Sequence, residues 1–224
     1  SMTVFPSIKK WGIPFVVSCH GSDIYAMGAS FNEYALGRYL NKKVMTAQMN
    51  RLNSADHVIF VSKDIYKAAV KKGADPNCFS VVPNGISQLF NTKTRKLSKK
   101  IVIGFVGLLI PRKRADKLIE IFKNVLELIN VDEFLIIGEG ILMNQMIEDV
   151  RHFEIEDKVK FTGRVSAEKV ADYMRTMNVF VLPSREEAFG CVIKEAQACG
   201  AMVVGSSNGG IPEVVGNGGV IVDE

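Results

Sequence analysis

The chain has 224 residues, of which 47% are hydrophobic and 23% charged, values that are ordinary for a globular protein with a substantial core. A net charge of +4 is too small to indicate nucleic-acid binding by itself, so no nucleic-acid partner is expected. The longest apolar run, residues 101–110, is too short to span a bilayer, and residues 1–11 lack the apolar region of a signal peptide. The four cysteines form no CxxC pair and no zinc-like spacing, which favours free thiols in the cytoplasm and no metal site.

The first part of the chain alternates short apolar runs with segments that carry one apolar stripe. The runs are rich in β-branched residues and are followed by turn residues, a pattern typical of buried parallel strands. The stripes repeat with helical spacing, and Ser62 and Gly73 are suited to begin and end one of the helices. Strands are predicted at 13–18, 57–61 and 79–82, and helices at 31–53 and 62–73.

A polar segment interrupts this alternation, which then resumes. Residues 91–100 contain almost no apolar side chains and are the predicted linker. Beyond them, Ser166 is suited to cap one helix and Gly200 to follow the end of another. Strands are predicted at 101–109, 134–137, 159–162, 179–182 and 201–204, and helices at 116–129, after 140, after 166 and over 190–199.

Strands that alternate with helices through short loops predict parallel, doubly wound α/β sheets. Because the pattern restarts after the polar segment, we predict two such domains, over residues 3–90 and 101–224, joined by the linker at 91–100. Ligands of open α/β sheets bind at the carboxyl ends of the strands, so the loops at those ends are the candidate functional regions.

The loop after the strand at 179–182 gives the strongest chemical signal. Two carboxylates, Glu187 and Glu195, flank the start of a helix. A glycine there lets the backbone approach a ligand, and the first N–H groups of a helix favour an anion. This arrangement predicts a diphosphate site in which one carboxylate accepts from a ribose and the other from a sugar hydroxyl. The residues that open the helix are Phe189, Gly190, Cys191 and Val192.

Residues 187–195, EAFGCVIKE, resemble the E-x7-E signature of the retaining GT-B glycosyltransferases of family 4, the glycosyl transferases group 1. The resemblance covers nearly the whole chain. It implies a GT-B fold of two Rossmann-like domains, the first incomplete at its start and the second lacking its closing helices. It also implies transfer of a hexose from a nucleoside-diphosphate sugar to an acceptor hydroxyl, with retention of configuration. The segments that carry it include IPFVVSCHGSD, NCFSVVPNGI, IGFVGLLIPRKRADKLIE, IIGEG, VKFTGRVSAEKVADYM and GGIPEVV.

The same resemblance assigns roles to the residues of the second domain. It implies that Glu195 binds the nucleotide ribose, while Glu187 holds the donor sugar with the backbone of Phe189 and Gly190. Lys113 matches the lysine that pairs with the diphosphate.

Two further segments match family positions around the donor. His20, in HGSD, matches the histidine that lies against the donor sugar from the other domain, and with Glu187 and Lys113 it completes the implied catalytic set. The loop that passes the nucleobase matches Gly163, Arg164 and Val165.

The chain departs from the family pattern in the loop that precedes Lys113. Family members commonly have an arginine directly after the glycine that ends the strand, but Leu108 follows Gly107 in this chain. One phosphate-binding cation is therefore missing unless Arg112 or Arg114 replaces it, and Arg114 itself stands where a glycine is usual.

The implied chemistry needs neither a metal nor a cofactor. A lysine and a helix N-terminus stabilise the negative charge that develops on the departing diphosphate. The implied partners are the nucleotide-sugar donor and an acceptor such as a lipid-linked or surface glycan. Lys63, Lys67 and Lys71 recur every four residues on one predicted helix, so they share a face. A solvated helix face is the favoured interpretation, and a weak peripheral contact with the inner membrane face is the alternative.

Three other functions fit parts of the pattern. A non-catalytic remnant would bind the nucleotide sugar without turnover, and a GT-B epimerase or phosphorylase would keep the fold but change the reaction. A dinucleotide oxidoreductase fits least, because Met143 stands where the motif that begins at Gly138 needs its third glycine. The sequence leaves the base, the sugar and the acceptor open.

Overall fold

The computed structural model describes residues 11–21, 24, 35–95 and 99–223. The chain divides into two compact units between Asn84 and Gly85. In the described residues each unit contains one parallel sheet with helices between consecutive strands, which confirms the predicted α/β class.

The first unit is built on three parallel strands in the order β1-β2-β3. Ser62 begins the second helix as predicted, because its Oγ accepts a hydrogen bond from the backbone N–H of Ile65 at 3.2 Å. The predicted start of the first helix near Phe31 lies outside the described residues. The bounds are β1 Val16–Cys19, α1 Ala35–Asn53, β2 His57–Phe60, α2 Lys63–Lys71 and β3 Phe79–Val81.

The second unit contains six parallel strands in the order β6-β5-β4-β7-β8-β9. Ser166 caps a helix as predicted, accepting from the backbone N–H of Lys169 at 3.4 Å. The strands are β4 Val102–Val106, β5 Glu133–Ile137, β6 Val159–Gly163, β7 Val179–Leu182, β8 Met202–Ser206 and β9 Gly219–Val222. The helices are α3 Ala115–Leu128, α4 Met143–His152, α5 Ala167–Met174, α6 Cys191–Ala198 and α7 Ile211–Val215.

The strand order of the second unit reverses at its centre. From β4 the chain runs outward to β5 and β6, returns to β7 on the other side of β4, and continues outward to β8 and β9. This is the doubly wound arrangement that the sequence predicts. The loops after β4 and β7 diverge at the reversal, and such sheets form their binding crevice there.

Buried aromatic rings pack around the central strands that carry these loops. Phe122 of α3 stacks on Phe134 of β5 with ring centroids 4.2 Å apart, and both side chains are fully buried. Phe105 of β4 and Phe180 of β7 are equally buried. Removing any of these rings would cost about 3–5 kcal/mol, so the central strands are firmly held.

The segment before β4 corrects the predicted linker. Arg175 donates to the backbone oxygens of Asn91 and Leu89 at 2.9 and 2.6 Å, and Arg95 donates to those of Cys199 and Met177 at 2.8 and 3.1 Å. Residues 89–95 therefore pack on the second unit, and the boundary between the units lies earlier than residues 91–100. The polar composition of residues 91–100 indicated a free linker. The backbone oxygens of Leu89 and Asn91 and the guanidinium group of Arg95 are instead held by hydrogen bonds.

Two other predictions for the second unit need correction. The strand predicted at 101–109 ends at Val106, where the backbone turns at Gly107. Leu109 is fully buried but lies beyond the strand, and its backbone N–H donates to the backbone oxygen of Glu139. The helix α7 and the strand β9 were not predicted. β9 has a glycine-rich approach and exposed valines, Val220 and Val222, so its pattern resembles that of a loop.

Candidate functional site

The loops after β4 and β7 form the centre of the candidate site. β4 and β7 are hydrogen-bonded neighbours, so the turn at Pro111–Lys113 and the loop at 183–190 leave the same edge of the sheet side by side. The backbone N–H of Arg185 donates to Arg112 O at 2.9 Å, and the Arg112 guanidinium approaches Glu186 O at 3.5 Å. These contacts tie the two loops together.

Lys113 and Glu187 form an ion pair between these loops. The side chains are each only 13% exposed, so the pair is largely removed from water. The sequence predicted that both residues belong to one site, and the structure brings them into direct contact. The roles that the resemblance implies for them, Lys113 toward a diphosphate and Glu187 toward a sugar, stay predictions.

Helix α6 begins beside this pair. Gly190 precedes it with a φ of +76°, a left-handed conformation that favours glycine. A Cβ at this position would lie 3.0 Å from Glu187 Cγ, so a larger residue would crowd the Glu187 side chain. Phe189 is buried, whereas Cys191 and Val192 are partly exposed in the first turn. The positive end of the helix dipole therefore lies next to Glu187.

Glu195 lies about one turn after the first residue of α6 and is half-buried. Burial raises the pKa of its carboxyl group above the ordinary value, and among the described residues no ion pair to it is found. A carboxylate that is partly desolvated and lacks a cationic partner binds hydroxyl donors well, because they replace the water that it has lost. This environment suits the predicted contact with a ribose.

The loops after β5 and β6 complete the edge. Gly107 and Gly138 meet so closely that a Cβ at Gly138 would lie 1.9 Å from Gly107 O, and Gly138 N–H donates to Gly163 O at 3.0 Å. Arg164 is 82% exposed and lies 3.5 Å from Glu139, an exposed pair that contributes little stability. Gly163 and Val165 are partly exposed at the same edge.

Arg112 and Arg114 differ in a way that bears on the missing cation. Leu108 is 54% exposed, but its apolar side chain offers no charge to a ligand. Arg114 has a φ of +54° and lines a separate cavity with Lys117, Pro183 and Ser206. Arg112 is exposed on the turn that also carries Lys113. Arg112 is therefore the better placed of the two to supply a second cation beside Lys113.

His20 belongs to the first unit and follows β1 directly. Its side chain is exposed, and Ser18 Oγ lies 3.0 Å from its Nε2. The rest of its HGSD motif, residues 22 and 23, lies outside the described residues. The implied role of His20 against the donor sugar stays a prediction.

The backbone contacts that hold the loop of Glu187 were not predicted. Gly210 N–H donates to Glu187 O at 2.7 Å, and a Cβ at Gly209 would lie 2.4 Å from the same oxygen. Ser206 Oγ donates to Ser184 O at 2.6 Å, within the same loop. The GGIPEVV segment belongs to the family resemblance, and its paired glycines are the sequence signal of a close backbone approach.

Two features of the described residues bear on metals and membranes. In the part of the chain that the structure describes, no helix combines the length and apolar composition needed to cross a bilayer. The same described residues contain no group of three or more His, Cys, Asp or Glu side chains arranged to hold a metal ion.

Comparison with solved structures defines the class of fold. The chain resembles Anabaena HepE in complex with UDP, with a TM-score of 0.81 and 22% identity over 99% of this chain and 62% of that one. It also resembles the sucrose-phosphate synthase of Thermosynechococcus elongatus, with a TM-score of 0.73 and 23% identity over 98% and 57% of the two chains. The fold is that of the GT-B glycosyltransferases.

Sequence comparison then identifies the family. Residues 88–224 match the model for glycosyl transferases group 1, and residues 2–88 match that for glycosyltransferase family 4. The chain therefore belongs to the glycosyl transferases group 1 family, as the sequence motifs predicted.

Three curated relatives illustrate the range of the family. The phosphatidylinositol N-acetylglucosaminyltransferase GPI3 subunit of Saccharomyces cerevisiae is 34% identical over 178 residues, 74% of this chain and 39% of the relative. An uncharacterized glycosyltransferase of Methanocaldococcus jannaschii is 30% identical over 94% of this chain and 54% of its own length. The N-acetyl-alpha-D-glucosaminyl L-malate synthase of Bacillus anthracis is 28% identical over 92% and 53%. The chain thus spans about half or less of the length of these relatives.

Proposed function

We propose that this chain belongs to an enzyme that transfers a hexose from a nucleoside-diphosphate sugar to an acceptor hydroxyl with retention of configuration. The observation that carries this proposal is the buried Lys113–Glu187 pair at the start of α6, with Glu195 on the same helix. A diphosphate needs cations and a helix N-terminus, and a sugar nucleotide needs hydroxyl acceptors on either side of it.

In the proposed reaction, the bond between the anomeric carbon and the diphosphate oxygen breaks first. Negative charge develops on the departing diphosphate, and Lys113, Arg112 and the N-terminus of α6 stabilise it. Glu187 and the backbone at Phe189 and Gly190 orient the sugar. The acceptor hydroxyl attacks from the face that the diphosphate leaves and gives its proton to a phosphate oxygen, which produces retention.

His20 is proposed to lie against the donor sugar. Gly163, Arg164 and Val165 are proposed to pass the nucleobase, and Gly107 to allow the diphosphate close to the end of β4.

Neither a metal nor a cofactor takes part. Addition of a chelator should leave donor binding unchanged, and loss of binding that magnesium restores would contradict this part of the proposal.

A uridine diphosphate donor carrying N-acetylglucosamine is the first candidate. Its support is that two relatives are named for transfer of N-acetylglucosaminyl groups and that the Anabaena neighbour was solved with UDP. The phosphatidylinositol acceptor in the name of the yeast relative makes a lipid-linked acceptor the first to be tested.

A thermal-shift screen of UDP-, GDP- and ADP-sugars tests the donor site. A donor present at one hundred times its Kd should stabilise the protein by about 2.7 kcal/mol, which is readily measured. Hydrolysis and transfer assays with the same donors separate an enzyme from a binding protein. Binding without any turnover would favour the alternative of a non-catalytic nucleotide-sugar-binding chain, whereas epimerised donor would favour a GT-B epimerase.

A further inference from the structure

The Lys113–Glu187 pair differs from the other ion pairs of the described residues. In each of those, at least one side chain is more than half exposed, whereas both partners here are 13% exposed. A pair this dry is strongly coupled, because removing either charge leaves the other buried without a partner.

A diphosphate that binds at this site must take Lys113 from Glu187. The ammonium group that would neutralise the phosphate oxygens already neutralises the Glu187 carboxylate. Once Lys113 turns to the phosphate, Glu187 is left as a partly desolvated anion beside a second anion, and both effects oppose binding.

A sugar attached to the diphosphate changes this balance. Hexose hydroxyl groups donate hydrogen bonds to Glu187 and replace the ammonium group that it has lost. The intact donor therefore satisfies both members of the pair, whereas the free diphosphate satisfies only Lys113.

We propose that Glu187 weakens the binding of free nucleoside diphosphate through its pairing with Lys113, and so favours release of this product over the sugar donor. The inference rests on the proposed donor site. It assigns to Glu187 a role in discriminating between product and donor, in addition to contact with the sugar.

Isothermal titration of the full chain with UDP and with UDP-N-acetylglucosamine tests this inference. Glu187→Gln keeps the shape of the side chain and removes its charge, so UDP should bind about fivefold more tightly while the donor binds no more tightly. Glu186→Gln removes the same charge one residue away and should change either affinity by less than about twofold. If Glu187 acts only in folding, its substitution should weaken the binding of both ligands.

Combining Glu187→Gln with Lys113→Gln tests whether the effect passes through the lysine. Adding Glu187→Gln to Lys113→Gln should not raise the UDP affinity above that of Lys113→Gln alone, because no ammonium group remains to be released. If Glu187→Gln does not fold, judged by circular dichroism, Glu187→Ala takes its place with the same expectation.

The outcomes separate the inference from the proposed function. Unchanged or weaker UDP binding by the neutral variant overturns the inference, even when the unaltered chain binds donor and product. Failure of the unaltered chain to bind UDP, GDP, ADP and their sugar conjugates rejects the donor site and the inference with it.

Discussion

Glu195, the proposed contact to the ribose, lowers the stability of the free protein at neutral pH. Its carboxyl pKa is raised by burial alone, so the folded state prefers the protonated form. The unfolding free energy contributed by this group is therefore highest below its ordinary pKa and falls as the pH rises through the raised value.

Glu195→Gln should consequently stabilise the protein at pH 7 by about 0.5–1 kcal/mol, because a neutral amide costs less to bury than a carboxylate. The gain should shrink as the pH is lowered toward 4, where the acid is protonated in both states. Thermal unfolding of both proteins across this pH range measures it. The same substitution should weaken nucleoside diphosphate binding by roughly 1.5–3 kcal/mol if Glu195 contacts the ribose, and unchanged binding would refute that contact.

Arg114 occupies a left-handed conformation that is unusual for a residue with a side chain. The family resemblance implies that a glycine is usual at this position, and the backbone conformation gives a physical reason. The residue links the turn that carries Lys113 to helix α3 through a backbone conformation that glycine adopts without strain.

Arg114→Gly should be more stable than Arg114→Ala by about 1 kcal/mol, because both variants lose the guanidinium group but only glycine avoids the left-handed strain. Urea unfolding of the two variants isolates this backbone contribution. Equal stabilities would show that the turn relaxes when the arginine is removed.

At the scale of elements, helix α2 presents a basic face. Lys63, Lys67 and Lys71 are exposed, whereas Ile65 is fully buried. Val70 on the same helix is 44% exposed, and Phe79 is 41% exposed in the neighbouring strand β3. The face therefore combines positive charge with limited apolar surface.

We expect this face to give weak, salt-sensitive binding to anionic vesicles, since each lysine near such a surface contributes about 1 kcal/mol. Changing Lys63, Lys67 and Lys71 to Gln together should abolish co-sedimentation with phosphatidylserine vesicles at low salt. The matched control changes Lys93, Lys99 and Lys100, which are also exposed, and should retain most of the binding. Absence of binding by the unaltered chain at low salt would remove this partner.

Another element-scale feature is the strap of residues 89–95 on the second unit. Arg175→Ala removes the donors to Asn91 O and Leu89 O, and Arg175 is largely buried. The expected loss is about 1–3 kcal/mol of unfolding free energy, together with faster proteolysis within residues 85–100. Arg185→Ala removes an exposed arginine whose nearest carboxylate is 3.9 Å away, so this control should change stability by less than about 0.5 kcal/mol.

For the molecule as a whole, the fold was predictable because each unit is built from local patterns. Apolar runs and helical stripes placed most of the strands and helices, and capping serines marked helix starts. Contacts between residues far apart in sequence were not predictable. The Arg175 bonds to residues 89 and 91 and the backbone contact from Gly210 to Glu187 depend on backbone positions that only the folded chain defines.

The candidate site was predictable for a related reason. Glu187, Gly190 and Glu195 lie within nine consecutive positions, so a local motif identifies them. Lys113 was assigned to the site through the family resemblance. Its direct pairing with Glu187 emerged only from the folded chain, because it depends on β4 and β7 being neighbours in the sheet.

The strap has a consequence for recombination between members of the family. The proposed donor site invites exchange of the second unit between relatives, and the polar composition of residues 91–100 suggests a crossover point there. A chimera joined there would separate Leu89 and Asn91 from the Arg175 that holds them, and would mix the strap of one parent with the surface of another. Crossover at Asn84–Gly85 keeps strap and surface from a single parent, so the functional module that evolution or an engineer can transfer begins before the polar segment.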